Sequence, residues 1–405
     1  MSRSSLINWL EKIVEGSFLA AIFILPVSIA LMEMSYTISF IAWLLLKFLK
    51  KENLCQDQFL FLIVGLFLIV SSVSAFYSGY PEVSVRGLLK IIKYSFVFLI
   101  AADFFGDKKR LNHLIWAAIL SFVIVLGDCL IQLATGKDLI RGFEIYHADS
   151  RIRLTGPYKF YGLLAAQLIA ILPLLLSLIW TGKNSRRKIF IKSFLFALFL
   201  IGFLVLFQTQ SRGAWLASYA SWFVYMLLSK NKKMLIFLIL LTLSLPFVVP
   251  KDILIHEDIH NKEQSLIERY HLWERAGQVI AKRPIFGCGI NTYVKNYPLY
   301  DEVKNWRVPG YYVHNGYLQL AAETGLISLF LFLFLILRSI SSGLKAVRVS
   351  SKDERMRIVG IFSGVVALLI QASFDTTLHN LQSAVLIWLF LGLLIGLKRS
   401  AASTF

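Results

Sequence analysis

The chain offers one histidine and a handful of arginines and lysines at places where apolar runs would ordinarily exclude them. His314 stands in GYYVHNGYLQLAAETGLISL (310–329), at the mouth of a long apolar segment. A hydroxyl that must lose its proton near neutral pH is usually served by histidine, whose unperturbed pKa lies close to that range. The same position also suits a helix-entry residue beside an Asn315 cap. Glu323, nine residues on, lies inside the predicted span and reads as a group bonded within the protein rather than a reacting one.

The cations fall into four groups. In VSVRGLLKIIKYSFVFLIAADFF (83–105), Arg86, Lys90 and Lys93 are four and three residues apart, which is one face of a helix. Charges in a span cost several kcal/mol if they face lipid, so they turn to a cavity or a partner, unless their long stems snorkel to the interface. In QTQSRGAWLA (208–217), Arg212 interrupts two apolar runs, with Gly213 beside it permitting close backbone approach. Arg141, Arg151 and Arg153 cluster in RGFEIYHADSRIRLTGPYKF, and Arg269 and Arg275 lie farther along. Arginine is always charged, and its planar fork can grip two phosphate oxygens at once. Sites at membrane depth suit an anion carrying a lipid tail, such as a pyrophosphate-linked polyprenol or, less specifically, an anionic headgroup.

Other signals are weaker. HEDIH (256–260) contains the bare H-E-x-x-H string but lacks an apolar helical setting and a third ligand, so no metal is expected there. There is no Walker motif, no dinucleotide-binding glycine fingerprint and no aspartate pair for a nucleotide-sugar metal, and no cofactor is expected. His379 and Asp375, in QASFDTTLHN, mark the end of another span and could line the same vestibule as His314. Cys55, Cys129 and Cys288 are far apart and imply no disulfide framework.

The elements that must hold these residues are membrane helices. Apolar residues make up 57% of the 405 and charged ones 16%, with a mean hydropathy of +0.67, so lipid is the solvent for most of the chain. About twelve runs are long enough to cross a bilayer, near 14–31, 34–49, 58–78, 83–103, 112–134, 159–180, 189–208, 213–229, 234–250, 315–338, 357–376 and 383–397. Alternate connections carry KFLKK (47–51), DKKR (107–110), KNSRRK (183–188), KNKK (230–233), the stretch 338–357 and Lys398-Arg399. That bias puts them, and both termini, on the cytoplasmic side. The net charge of +18 is thereby explained without nucleic acid. Residues 1–250 read as the first nine helices of a bundle, 251–313 as a cap on the non-cytoplasmic side, and 314–405 as the last three helices. In the cap, ERYHLWERAGQVIAKR (268–283) places Leu272, Ala276, Val279 and Ile280 at helical spacing, and Pro284, Gly287 and Gly289 end the helix.

At SRGAW (211–215) and HNGYLQLAAETGLIS (314–328) the sequence resembles the O-antigen ligase and polymerase superfamily of bacterial envelope proteins. His314, Asn315 and Gly325 match the ligase pattern, although Ser328 stands where the family more often has Gly, Thr or Tyr. The stretch from Arg269 through Trp273, Ala276, Pro284, Gly287 and Gly289 is similar to the family's outer loop. RLTGPY, with Arg153 and Gly156, is similar to the stretch before its central helix, but Phe160-Tyr161 replace a frequent Pro-Asn. The resemblance implies a GT-C fold in the bacterial inner membrane. It implies an inverting, metal-independent transfer on the periplasmic face, from undecaprenyl-pyrophosphate-linked glycan to a sugar hydroxyl of lipid A-core, in lipopolysaccharide biosynthesis. His314 would take the acceptor proton, and Arg212 and Arg269, helped by Arg86, Lys90 and Arg153, would hold the pyrophosphate. A polymerase extending the lipid-linked repeat, a ligase glycosylating protein side chains, and a transporter of a lipid-linked anion remain alternatives at this point.

Overall fold

The computed structural model describes residues 2–402 apart from 55, 149–150, 183–184, 232, 234–235, 238, 241–242, 244–258 and 301–311. Among the described residues, eight long helices precede the cap: α1 (Arg3–Ile24), α2 (Ile29–Lys50), α3 (Gln58–Phe76), α4 (Pro81–Phe104), α5 (Lys108–Thr135), α6 (Tyr161–Ile179), α7 (Arg186–Gln208) and α8 (Arg212–Ser229). The cap contributes α9 (Ile259–Lys282) and the short α10 (Tyr293–Asn296), and α11 (Gly316–Val349), α12 (Lys352–Ala372) and α13 (Leu381–Ala402) follow. A two-stranded antiparallel hairpin, β1 (Tyr146–Ala148) and β2 (Arg151–Arg153), lies between α5 and α6. Among the described residues, the eleven long helices outside the cap overlap eleven predicted runs, although α1 begins well before the first run, 14–31, and ends inside it at Ile24. The ninth, 234–250, falls largely outside the described residues, as do the two stretches flanking the cap helices and His256.

Eight of these helices are long and apolar enough to cross a membrane, and the chain is an all-α polytopic membrane protein. Among the rest, α4 is diluted by Arg86, Lys90, Lys93 and Asp103, each of which needs a partner. α6, α12 and α13 form the centre. Apart from the charged start of α12 and end of α13, they are apolar all round and buried on nearly every side, as a helix wrapped by other helices must be. Small residues let them touch closely: a methyl at Gly364 on α12 would meet the Ala170 carbonyl of α6 at 2.8 Å, and one at Gly396 on α13 would meet the Ala102 carbonyl of α4 at 2.8 Å. Without water to squeeze out, helices in lipid gain from this contact instead.

The basic connections gather at one end of the bundle. Lys47, 4% exposed, is 2.8 Å from Asp103, which also accepts from the Trp43 indole and has Arg399 at 3.7 Å. Arg338 pairs with Asp57 at 2.8 Å, Arg110 and Lys50 both reach Glu11 at 2.6 Å, and Lys108 meets Glu354 at 3.1 Å. Charge bias along the sequence thus corresponds to one physical face.

α11 is broken near its start. Gly325 has φ 85° and ψ 170°, a conformation essentially confined to glycine, and the cap packs into the break. Leu326 N–H donates to the Pro284 carbonyl at 2.7 Å, and Cys288 and Gly289 N–H donate to the carbonyls of Ala322 and Glu323, both at 2.9 Å. Of the face of α9 foreseen from its spacing, Leu272, Ala276 and Val279 are buried and Ile280 is half-buried. Ala276 and Val279 form a small core with Cys288, Tyr293, Val313 and Ala322, separate from the core of the bundle.

Candidate active site

α6, α8 and α11 all begin around one cavity of about 450 Å³. Its wall includes Tyr161 and Gly162 from the start of α6, Ser211 to Gly213 from the start of α8, and His314 just before α11. Helix N-termini carry unsatisfied N–H groups and partial positive charge, so this end of the bundle already favours an anion.

His314, Arg212, Arg269 and Arg153, far apart in sequence, line this same cavity. Arg153 reaches it from the hairpin and lies over the Tyr161 ring at 4.7 Å, a cation–π contact. Tyr161 is one of the two residues that depart from the family's frequent Pro-Asn. Arg212 is the first residue of α8, which packs so tightly on the end of α12 that a methyl at Gly213 would meet Phe374 Cβ at 2.8 Å. Arg269 is delivered by the cap helix.

His314 Nδ1 is 3.8 Å from Asp375 Oδ1, and that oxygen accepts a hydrogen bond from the Thr376 N–H at 2.7 Å. The His314 backbone is left-handed, with φ 51°, and so is that of Gln210, at φ 52°, in the same cavity wall. Such conformations are uncommon outside glycine and concentrate at functional sites. Gln210 and Gln371 each donate through Nε2 to a carbonyl, of Ile152 and Gly162 respectively. Sequence reasoning did not single out Gln210, Gln371 or Tyr312 as wall residues. Each stands in the same stretch as a residue that was singled out: Gln210 beside Arg212, Gln371 near Asp375 and Tyr312 near His314.

The remaining predicted cations lie elsewhere. Lys90 lines a second, smaller cavity with Gln319, Glu323 and His379. Arg86 is exposed and lines neither cavity. Lys93 is 2.8 Å from Glu33 of α2. Arg141 donates to the Val27 carbonyl at 3.2 Å, and Arg275 is buried in the cap with Glu274 at 4.0 Å. His379 does not share the cavity of His314. It lies 3.1 Å from the Gln319 amide, and burial, with a further push from Lys90, holds its imidazole well below the ordinary histidine range, so it serves as a neutral hydrogen-bond partner.

Residues 196–333 match the model of the O-antigen ligase family. The match covers about a third of the chain, from α7 into α11, and includes Arg212, Arg269, His314 and Glu323. It is consistent with a member of the O-antigen ligase and polymerase superfamily, of glycosyltransferase-like enzymes. No curated protein matches the chain.

Proposed function

We propose that the protein is an O-antigen ligase of GT-C type in the bacterial inner membrane, with both termini cytoplasmic and the cap over the periplasmic face. It transfers a glycan from undecaprenyl pyrophosphate to a sugar hydroxyl of lipid A-core. The observation that carries this reading is the convergence of His314, Arg212, Arg269 and Arg153 on one cavity at the start of α6, α8 and α11.

In the proposed reaction the acceptor hydroxyl oxygen attacks the anomeric carbon from the face opposite the pyrophosphate, so the configuration inverts. His314 takes the hydroxyl proton as the new C–O bond forms. With Nδ1 turned to Asp375, that proton would be met by Nε2, and Asp375 would stabilise the imidazolium that results. The bond from the anomeric carbon to the pyrophosphate oxygen breaks with its electron pair on the leaving group. Arg212, Arg269 and Arg153 stabilise the charge that grows there, aided by the positive ends of α6 and α8. Such donors act most strongly where water is scarce, as under a cap at the membrane boundary. The chemistry needs no metal, since three guanidinium groups supply the positive charge. Arg86 and Lys90 lie outside this cavity and take no part in holding the pyrophosphate in this proposal.

The test is a transfer assay with purified protein, undecaprenyl-pyrophosphate-linked glycan, and either lipid A-core or further donor as acceptor. Growth of lipid A-core supports the ligase, and growth of the lipid-linked chain would assign a polymerase instead. His314→Ala should lower transfer by about 100- to 10,000-fold while donor binding persists. Unchanged transfer would remove the catalytic role.

A further inference from the structure

His314 and Arg269 belong to different bodies, the first attached to α11 and the second to the cap helix α9. The root of the cap, residues 284–293, joins the two bodies. Its backbone is pinned into the break of α11 by the bonds from Leu326, Cys288 and Gly289. The Glu323 side chain, 4% exposed, extends the pinning. Its Oε2 accepts from the Asn291 N–H at 2.8 Å, and its Oε1 accepts from the Tyr293 N–H at 3.3 Å and from the Gln319 amide at 3.2 Å.

Tyr293 carries the connection onward. Its hydroxyl donates to the Leu272 carbonyl of α9 at 3.2 Å, and its ring is fully buried, stacked on Tyr297 with centroids 5.4 Å apart. Leu272 is one helical turn beyond Arg269. One unbroken series of contacts therefore runs from the helix that bears His314, through Glu323 and Tyr293, to the turn that bears Arg269. A carboxylate inside a membrane helix is costly, and here it is spent on two N–H groups of the cap root instead of on substrate.

We infer that Glu323 and Tyr293 are positioning residues, a strut that fixes Arg269 across the cavity from His314. Neither lines that cavity. A fork that must meet two phosphate oxygens is sensitive to displacements well under an ångström, which makes such a strut matter to binding. The inference rests on the proposed reading of Arg269 as a pyrophosphate ligand.

The test is a double-mutant cycle on the full-length protein in lipid nanodiscs, with undecaprenyl pyrophosphate as the probe. Tyr293→Phe removes the hydroxyl and keeps the ring, so the cap core stays filled. It should weaken probe binding by about 3- to 10-fold, the worth of one hydrogen bond, and have no further effect once Arg269→Ala is present. Glu323→Gln, run through the same cycle, should behave alike, and Glu323→Ala should be worse than Glu323→Gln. Equal losses with and without Arg269, or no loss from either strut variant, would overturn the inference. Wild-type binding by Arg269→Ala alone would instead remove Arg269 from the pyrophosphate site, and the strut's purpose with it.

Discussion

His314 Nδ1 and Asp375 Oδ1 face each other at 3.8 Å across the junction of α11 and the α12–α13 connection. The approach depends on the start of α6, where a methyl at Gly162 would overlap the Asp375 carboxylate. A carboxylate at one ring nitrogen fixes which nitrogen meets the substrate and stabilises the cation formed on proton uptake. Asp375→Asn keeps the shape and removes the charge. It should lower kcat for transfer by about 10- to 100-fold with little change in donor affinity, a split read from steady-state kinetics beside direct donor binding. A loss confined to KM would assign Asp375 to the substrate instead.

Arg212 enters the cavity from the first turn of α8. Lysine there would keep the charge and lose the planar fork, so Arg212→Lys separates charge from geometry. If the guanidinium grips two phosphate oxygens, Arg212→Lys should cost about 10- to 100-fold in kcat/KM, close to the loss in Arg212→Ala. Near-wild-type activity in the lysine variant would show that a point charge suffices.

Much of the fold was legible because the bilayer fixes the length of an apolar run and the charge bias fixes which ends lie together. The site was legible where one residue type has few other uses, as with Arg212 and His314. Contacts between spans were not. Arg86, Lys90 and Lys93 share one helical face by spacing, yet they meet solvent, a cavity and Glu33 in turn, because the neighbours of α4 change along its length. Asp375 reaches His314 through a tertiary contact that no spacing encodes. Glu323 does bond within the protein, as its depth suggests, and its Gln319 partner four residues earlier is visible in the spacing, but the two backbone N–H groups of the cap root leave no trace in side-chain pattern.

At the opposite end, Asp57 caps α3 through the Leu60 N–H at 3.1 Å and accepts from Arg338 at 2.8 Å. Burial alone would raise its carboxyl, but the bond and charge of Arg338 and the capping bond outweigh it and hold the carboxyl below the usual range. A carboxyl with a depressed folded-state pKa contributes stability that is complete above the unfolded value, near about 4, and is lost as pH falls through the folded value. Asp57→Asn should therefore unfold at lower temperature than wild type at pH 7, by an amount worth no more than about 1 kcal/mol for a partly exposed pair. The difference should shrink as the pH is taken below about 4. Thermal melts in detergent across that range decide it, and a gap independent of pH would mean that Asp57 acts only through its shape.

Gly325 and Gly277 make a matched pair of opposite sign. Gly277 is in the exposed middle of α9 with nothing within 4 Å of an added methyl, so Gly277→Ala should be neutral or stabilise the cap by about 0.5–1 kcal/mol. Gly325 has the glycine-only backbone that opens α11, and a methyl there would run into the Ile285 carbonyl of the cap root. Gly325→Ala must therefore either strain the backbone or close the break and expel the root, at a cost of about 2 kcal/mol or more. Closing the break would also release the bonds that Leu326, Cys288 and Gly289 donate across it, and with them the placement of Arg269. Limited proteolysis should find the cap cut faster in Gly325→Ala than in wild type and no faster in Gly277→Ala. Equal protection in all three proteins would show that the break in α11 is not what seats the cap.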